Sequence, residues 1–261
     1  MGAQAMTTQQ ARVAPVTVAK NLSVSDLTTA LAAGWRDFRS APLYGMFFGL
    51  IYVLSGWYLW YALTTRGQSM WLIPVAAGFP LVAPFTAVGL YEVSRRREAG
   101  LPLSWGGVLG ALRGHGDEQL AMMGGFVFVG FTFWMILAHG IFAIFMSESG
   151  MGAESLGLLS TSSGIAMLAV GSVVGAGVAY VFYMVTVISL PMLVDRDVDF
   201  LTAIIVSLAT VRSNTWVMTI WAAIIALALG AALLPAFAGL LVVLPVLGHA
   251  TWHLYRRVVP G

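Results

Sequence analysis

Long apolar runs separated by short polar joints set the pattern of the chain. Six runs reach the roughly 20 residues that a helix needs to cross a bilayer: 43–63, 71–91, 121–146, 164–194, 215–234 and 237–252. The pattern predicts an all-α integral membrane protein, a bundle of six transmembrane helices forming one domain over residues 25–258. Residues 1–24 are polar and hold none of the apolar run of a signal peptide. They are expected to form a disordered cytoplasmic segment.

Amphipathic segments precede the odd-numbered runs. Residues 26–39 place Leu27, Leu31, Gly34 and Phe38 on one stripe, residues 104–114 do so with Trp105, Val108, Leu109 and Leu112, and residues 199–212 with Leu201, Ile204, Ile205, Leu208 and Val211. Each begins at a polar residue able to cap a helix and ends near an arginine. The even-numbered runs echo one another too: Pro84 precedes Tyr91 and Arg95-Arg96 at the offsets by which Pro245 precedes Trp252 and Arg256-Arg257. The expected unit is an amphipathic helix followed by a two-span hairpin, repeated three times. The amphipathic helices either lie in the headgroup plane or tuck between the spans.

The charges fix an orientation. Twelve of the 13 Lys and Arg residues fall on one side of a six-span arrangement, leaving Arg66 alone on the other. That asymmetry puts both termini on the cytoplasmic face of a bacterial inner membrane. Composition agrees: 59% of residues are apolar and 9% charged, against roughly 25% charged in a soluble domain. A nucleic-acid binder is excluded, and the lipid bilayer is the first partner implied. With no cysteine, disulfides, thiolate clusters and Cys nucleophiles are excluded as well.

Ionisable groups inside spans are the usual markers of function, and here the spans offer only His139 and His249. Their depths differ by about 15 Å at 1.5 Å per residue, so they do not ligate one haem iron together. His249 and His253 share a helix face four residues apart. With an acid such as Asp195, Asp197, Asp199 or Glu92 they make a candidate metal site, or they form a polar cluster locking helix ends. Trp252, Tyr255 and Arg256 lie beside them, and Asp195, Arg196 and Asp197 form the densest charged segment. The prolines at 74, 80 and 84 break the second run, as in helices that form transport sites. Gly171 and Gly175 give a small-residue packing face, within the chain or for self-association. No nucleophile triad, phosphate loop or HExxH motif is present, and the chain is expected to need no cofactor and to be no enzyme.

The stretch 190–207, Leu-Pro-Met-Leu-Val-Asp-Arg-Asp-Val-Asp-Phe-Leu-Thr-Ala-Ile-Ile-Val-Ser, together with Leu244-Pro-Val-Leu-Gly-His-Ala-Thr-Trp-His-Leu-Tyr-Arg256, resembles domain-of-unknown-function family 2189. This is a family of bacterial integral membrane proteins sometimes labelled cytochrome c oxidase subunit I-like. The resemblance spans residues 25–258 and is most specific at Gly-His-Ala-Thr-Trp-His. Pro191, Asp195, Arg196, Ser207, Gly248, His249, Trp252, His253, Tyr255 and Arg256 match its recognisable positions. An oxidase catalytic subunit has twelve spans and six histidine ligands, and this chain has only four histidines. The resemblance therefore implies an accessory, scaffold or assembly role, with a respiratory complex as the partner it points to. The alternatives are a transporter or channel for a small or lipidic solute, and a haem- or metal-binding protein. Scaffolding calls for a filled bundle with an outward aromatic or glycine face. Transport calls for a polar cavity near residues 80–84, and metal binding for converging His249, His253 and an acid.

Overall fold

The computed structural model describes residues 17–76, 78, 87–111, 118–146 and 156–260. Among them there is no strand. The α-helices delimited among the described residues are α1 (Val24–Ser40), α2 (Pro42–Thr65), α3 (Val88–Glu98), α4 (Trp105–Gly110), α5 (Gln119–Met146), α6 (Ser162–Thr186), α7 (Ser189–Asp195), α8 (Phe200–Ser213), α9 (Thr215–Leu233) and α10 (Leu240–Val258). Among the described residues, four stretches are long and apolar enough to cross a membrane: α2, α5, α6 continued by α7, and α9. They correspond to the first, third, fourth and fifth runs. The middle of the second run, with the prolines at 80 and 84, lies outside the described residues, as do residues 112–114 of the second amphipathic segment.

α10, at the sixth run, departs from the picture of a lipid-facing span. It starts at Leu240 and is the most enclosed long helix, with Leu244, Gly248, His249, Trp252 and Tyr255 all buried. Its second half carries His249, His253, Arg256 and Arg257, so it is too polar to rank among the four apolar spans and lies against protein instead. α1 and α2 together form its partner, running antiparallel along its whole length. Only Ala41 separates the two, and Pro42 opens α2 at a position where its missing N–H costs nothing. Glycines let the backbones meet. A Cβ on Gly34 would lie 2.6 Å from the backbone of Val246 and Ala250, one on Gly45 2.8 Å from Pro245, and one on Gly49 2.9 Å from Leu240. The 234–239 joint is held at its tip by Trp57, whose indole N–H donates to the Ala236 carbonyl at 2.8 Å.

The amphipathic segments do form helices where the sequence puts them, with the caps expected. The Ser23 N–H donates to the Asp26 carboxylate, Ser104 accepts from the Gly107 N–H, and Asp199 accepts from the Thr202 N–H. α1 buries its stripe of Leu27, Ala30, Gly34 and Phe38 against α10. Its apolar stripe therefore meets protein, the helix α10.

The terminal segment needs a correction. Residues 1–16 lie outside the described residues, but 17–22, expected to be disordered, are tied down. Ala19 N–H donates to Val258 O at 2.9 Å, and the Asn214 amide accepts from Leu22 N–H and donates to Ala19 O. One buried asparagine holds the strap in place by satisfying its backbone.

The fourth run also breaks where it was read as continuous. Pro191 has no N–H for the Val187 carbonyl and its ring crowds it, so α6 ends at Thr186. Ser207 of α8 enters the gap: its hydroxyl donates to Met184 O at 2.7 Å and accepts from Ile188 N–H at 3.2 Å. It thus replaces one turn of the helical ladder.

The Gly34 contact is with backbone, which cannot rotate away. Gly34→Val is therefore expected to lower the thermal unfolding midpoint in detergent, with a loss of about 3 kcal/mol from overpacking. Gly171→Ala, where a Cβ meets nothing within 4 Å, is expected to leave the midpoint within about 0.5 kcal/mol of the parent.

Candidate functional site

On α10, His249, Trp252, His253 and Arg256 recur at helical spacing along a surface that faces α1, α3 and α7. The first network centres on Asp37 of α1, whose neighbours on the stripe are apolar. One of its oxygens accepts from Ser94 Oγ at 2.6 Å and from His253 Nε2 at 2.8 Å, while the other accepts from Arg97 Nε at 3.0 Å. A carboxylate only accepts, so the Ser94 proton points to Asp37. His249 Nδ1, 2.8 Å from Ser94 Oγ, must then be the donor of that bond. This fixes the His249 tautomer and leaves its buried Nε2 without a hydrogen-bond partner.

The second network centres on Asp195 at the end of α7. It accepts from Tyr255 Oη at 2.7 Å and Arg256 Nη1 at 3.2 Å, with Arg196 Nε 3.7 Å away. Arg256 also donates to Glu98, as does the Trp252 indole, each at 3.0 Å. Arg196 donates to the Pro260 carbonyl at 2.8 Å. Nearby, the nearly buried Glu92 receives both Arg95 and Arg96 at 2.7 Å. The structure thus gathers His249, His253, Trp252, Tyr255, Arg256, Asp195 and Arg196 at one charged end of the bundle, split between two networks. Asp197 is exposed and joins neither. His139 of α5 stacks on Trp71, with ring centroids 5.2 Å apart.

Sequence reasoning missed Asp37, Ser94 and Glu98. Asp37 had a signal, since an acid on the apolar stripe of an amphipathic helix must find a buried partner. Ser94 and Glu98 sit in a polar segment where nothing singles them out. Among the described residues no group of three or more His, Asp or Glu side chains converges as a metal ion needs.

A cavity of about 320 Å³ lies between α6, α9 and α10. Alanines line much of it, and the hydroxyls on its wall are mostly engaged: Tyr180 with Thr219 at 2.8 Å, Tyr183 with Met218 O at 2.7 Å, and Thr251 with Leu247 O at 2.8 Å. This cavity is apolar rather than polar.

Burial pushes the Asp37 carboxyl up, but the hydrogen bonds from His253 and Ser94, the charge of His253 and the bond from Arg97 outweigh it and hold it down at about 2. An unfolded carboxyl keeps its ordinary value near 3.8. The folded form therefore draws full benefit from this group above about pH 4 and loses it as the pH falls toward 2. Asp37→Asn is expected to cost about 3 kcal/mol at pH 7, because Arg97 and His253 lose their counter-charge. In unfolding curves recorded from pH 7 downward, the gap between variant and parent should narrow below pH 4.

No curated protein and no solved structure matches the chain. A family model described as predicted integral membrane protein, DUF2189, matches residues 72–195. The match runs from Leu72 to Asp195. It includes α3 to α7 and the acid at the centre of the second network, and it stops short of the Gly248–His253 stretch that carried much of the resemblance. Residues 72–195, just under half of the chain, are therefore similar to this family of predicted integral membrane proteins, in keeping with the four apolar helices described above.

Proposed function

We propose that the protein is a non-enzymatic accessory, scaffold or assembly component of a bacterial inner membrane, with a respiratory complex as its partner. The observation that carries this reading is the closure of the charged end. Asp37, Glu92, Glu98 and Asp195 are each bonded to basic side chains of this same chain. Groups held in mutual pairs fix helix ends and are poorly placed to exchange protons with a substrate. α2 meanwhile turns an aromatic face outward at Trp57, Tyr58, Trp60 and Tyr61, a surface suited to a membrane partner or the interfacial belt. The respiratory partner rests on the resemblance alone. In this reading the chain crosses six times, through the four apolar spans, the 71–91 run and α10, as three related hairpin units with both termini in the cytoplasm.

Purification from the native membrane in mild detergent tests the role, with mass spectrometry of co-purifying proteins and metal and haem analysis of the same sample. Stoichiometric respiratory subunits without bound metal are expected. A lone protein with no partner would end the scaffold reading. Orientation has its own test, made simple by the absence of cysteine. Ser213→Cys is expected to react with an impermeant maleimide only after the cells are opened, and Gln68→Cys to react in intact cells.

A further inference from the structure

The cavity between α6, α9 and α10 has the length of half a bilayer. Its lining runs from Ala176 on α6 to Val187 just past that helix's end, and from Thr219 to Leu229 on α9, which is roughly 15 Å at 1.5 Å per residue. One leaflet of a hydrocarbon core about 30 Å thick has the same depth. The cavity opens sideways: Ala176, Ala223 and Ala226, on facing edges of α6 and α9, are exposed, whereas Leu229, Leu244 and Gly248 behind them are buried. A lateral opening between two spanning helices meets lipid tails, not water. At about 320 Å³ the space is roughly twice the cavity that takes up benzene in a protein core, and no charged side chain among the described residues lines it.

One polar group stands apart. Tyr91 of α3 lines the closed side of the cavity near the charged end and is 2% exposed. Unlike those of Tyr180, Tyr183 and Thr251, its hydroxyl makes no hydrogen bond among the described residues. A phenol so enclosed needs an acceptor. Its place beside the charged end is the depth at which a phospholipid of that leaflet carries its ester carbonyls.

We propose that this cavity is a binding site for one phospholipid acyl chain, entered sideways between α6 and α9, with the Tyr91 hydroxyl donating to the ester carbonyl at the head of that chain. The occupant is a structural lipid and leaves as it came. The site goes beyond the accessory role and stands or falls apart from it.

The test is native mass spectrometry of the full chain, delipidated in detergent and titrated separately with dipalmitoyl phosphatidylglycerol, its ether-linked analogue and palmitate. The parent is expected to hold one ester phospholipid more tightly than the surplus. Ala226→Phe, which fills the cavity, should weaken that binding at least tenfold. Tyr91→Phe, which keeps the ring, should weaken it about five- to tenfold for the ester lipid and leave the ether lipid unchanged. Ala176→Phe fills the same space from the other helix and serves if the Ala226 variant does not fold, as judged by its unfolding midpoint. Equal binding by parent and folded cavity-filling variants would overturn the site. Equal loss of ester and ether lipids in Tyr91→Phe would overturn the carbonyl contact, and binding of palmitate alone would overturn the phospholipid.

Discussion

Backbone-to-backbone contact between α10 and the α1–α2 pair is the constraint on which the remaining architecture depends. In lipid there is no hydrophobic force between helices, so close approach and interhelical hydrogen bonds must hold them together. Gly34, Gly45 and Gly49 supply that approach, and the first network of the charged end follows from it. Only with α1 drawn this near does the Asp37 carboxylate come within bonding distance of His253 on α10 and of Ser94 and Arg97 on α3. Gly248 does the same for α3, since a Cβ there would lie 2.8 Å from Leu90.

The polar networks are best understood against this close packing. A charge withdrawn from water is tolerated when its counter-charges are fixed in place, and rigid helix contacts provide that fixity. The two networks meet α10 on successive turns, Asp37 at His253 and Asp195 at Tyr255 and Arg256. One helix thereby reads the positions of α1, α3 and α7 at once. A shift of any of the three would break bonds in at least one network.

Much of this was legible in the sequence. The four apolar spans follow from run length alone, and the caps at Ser104 and Asp199 from residue type. The clustering of His249, His253, Tyr255, Arg256 and Asp195 was visible because ionisable residues crowd the ends of runs. Other parts depended on tertiary context. Nothing local says that residues 17–22 are strapped down, because the group that holds them, Asn214, lies nearly 200 positions away. The break at Val187 is encoded in Pro191, but its repair by Ser207 depends on where α8 docks. Asp197 shares its neighbours' composition yet points to solvent, since a helix end exposes some of its residues whatever their charge. The cavity was illegible for a different reason: alanines at helical spacing signal close packing as readily as space, and the bulk of Tyr180 and Tyr183 decides between them.

The antiparallel match of α1 to α10 also has a consequence for the order of events during synthesis. Asp26 and Arg257, which pair across this interface, are 231 positions apart. At roughly 5–20 residues per second, the first helix waits on the order of ten seconds or more for the last. Throughout that interval the apolar stripe of α1 has no protein partner. The membrane surface is the natural shelter for such a stripe, with its polar face left in water. The headgroup plane, one of the two placements its sequence allows, is thus a place for α1 to wait until the final helix is made.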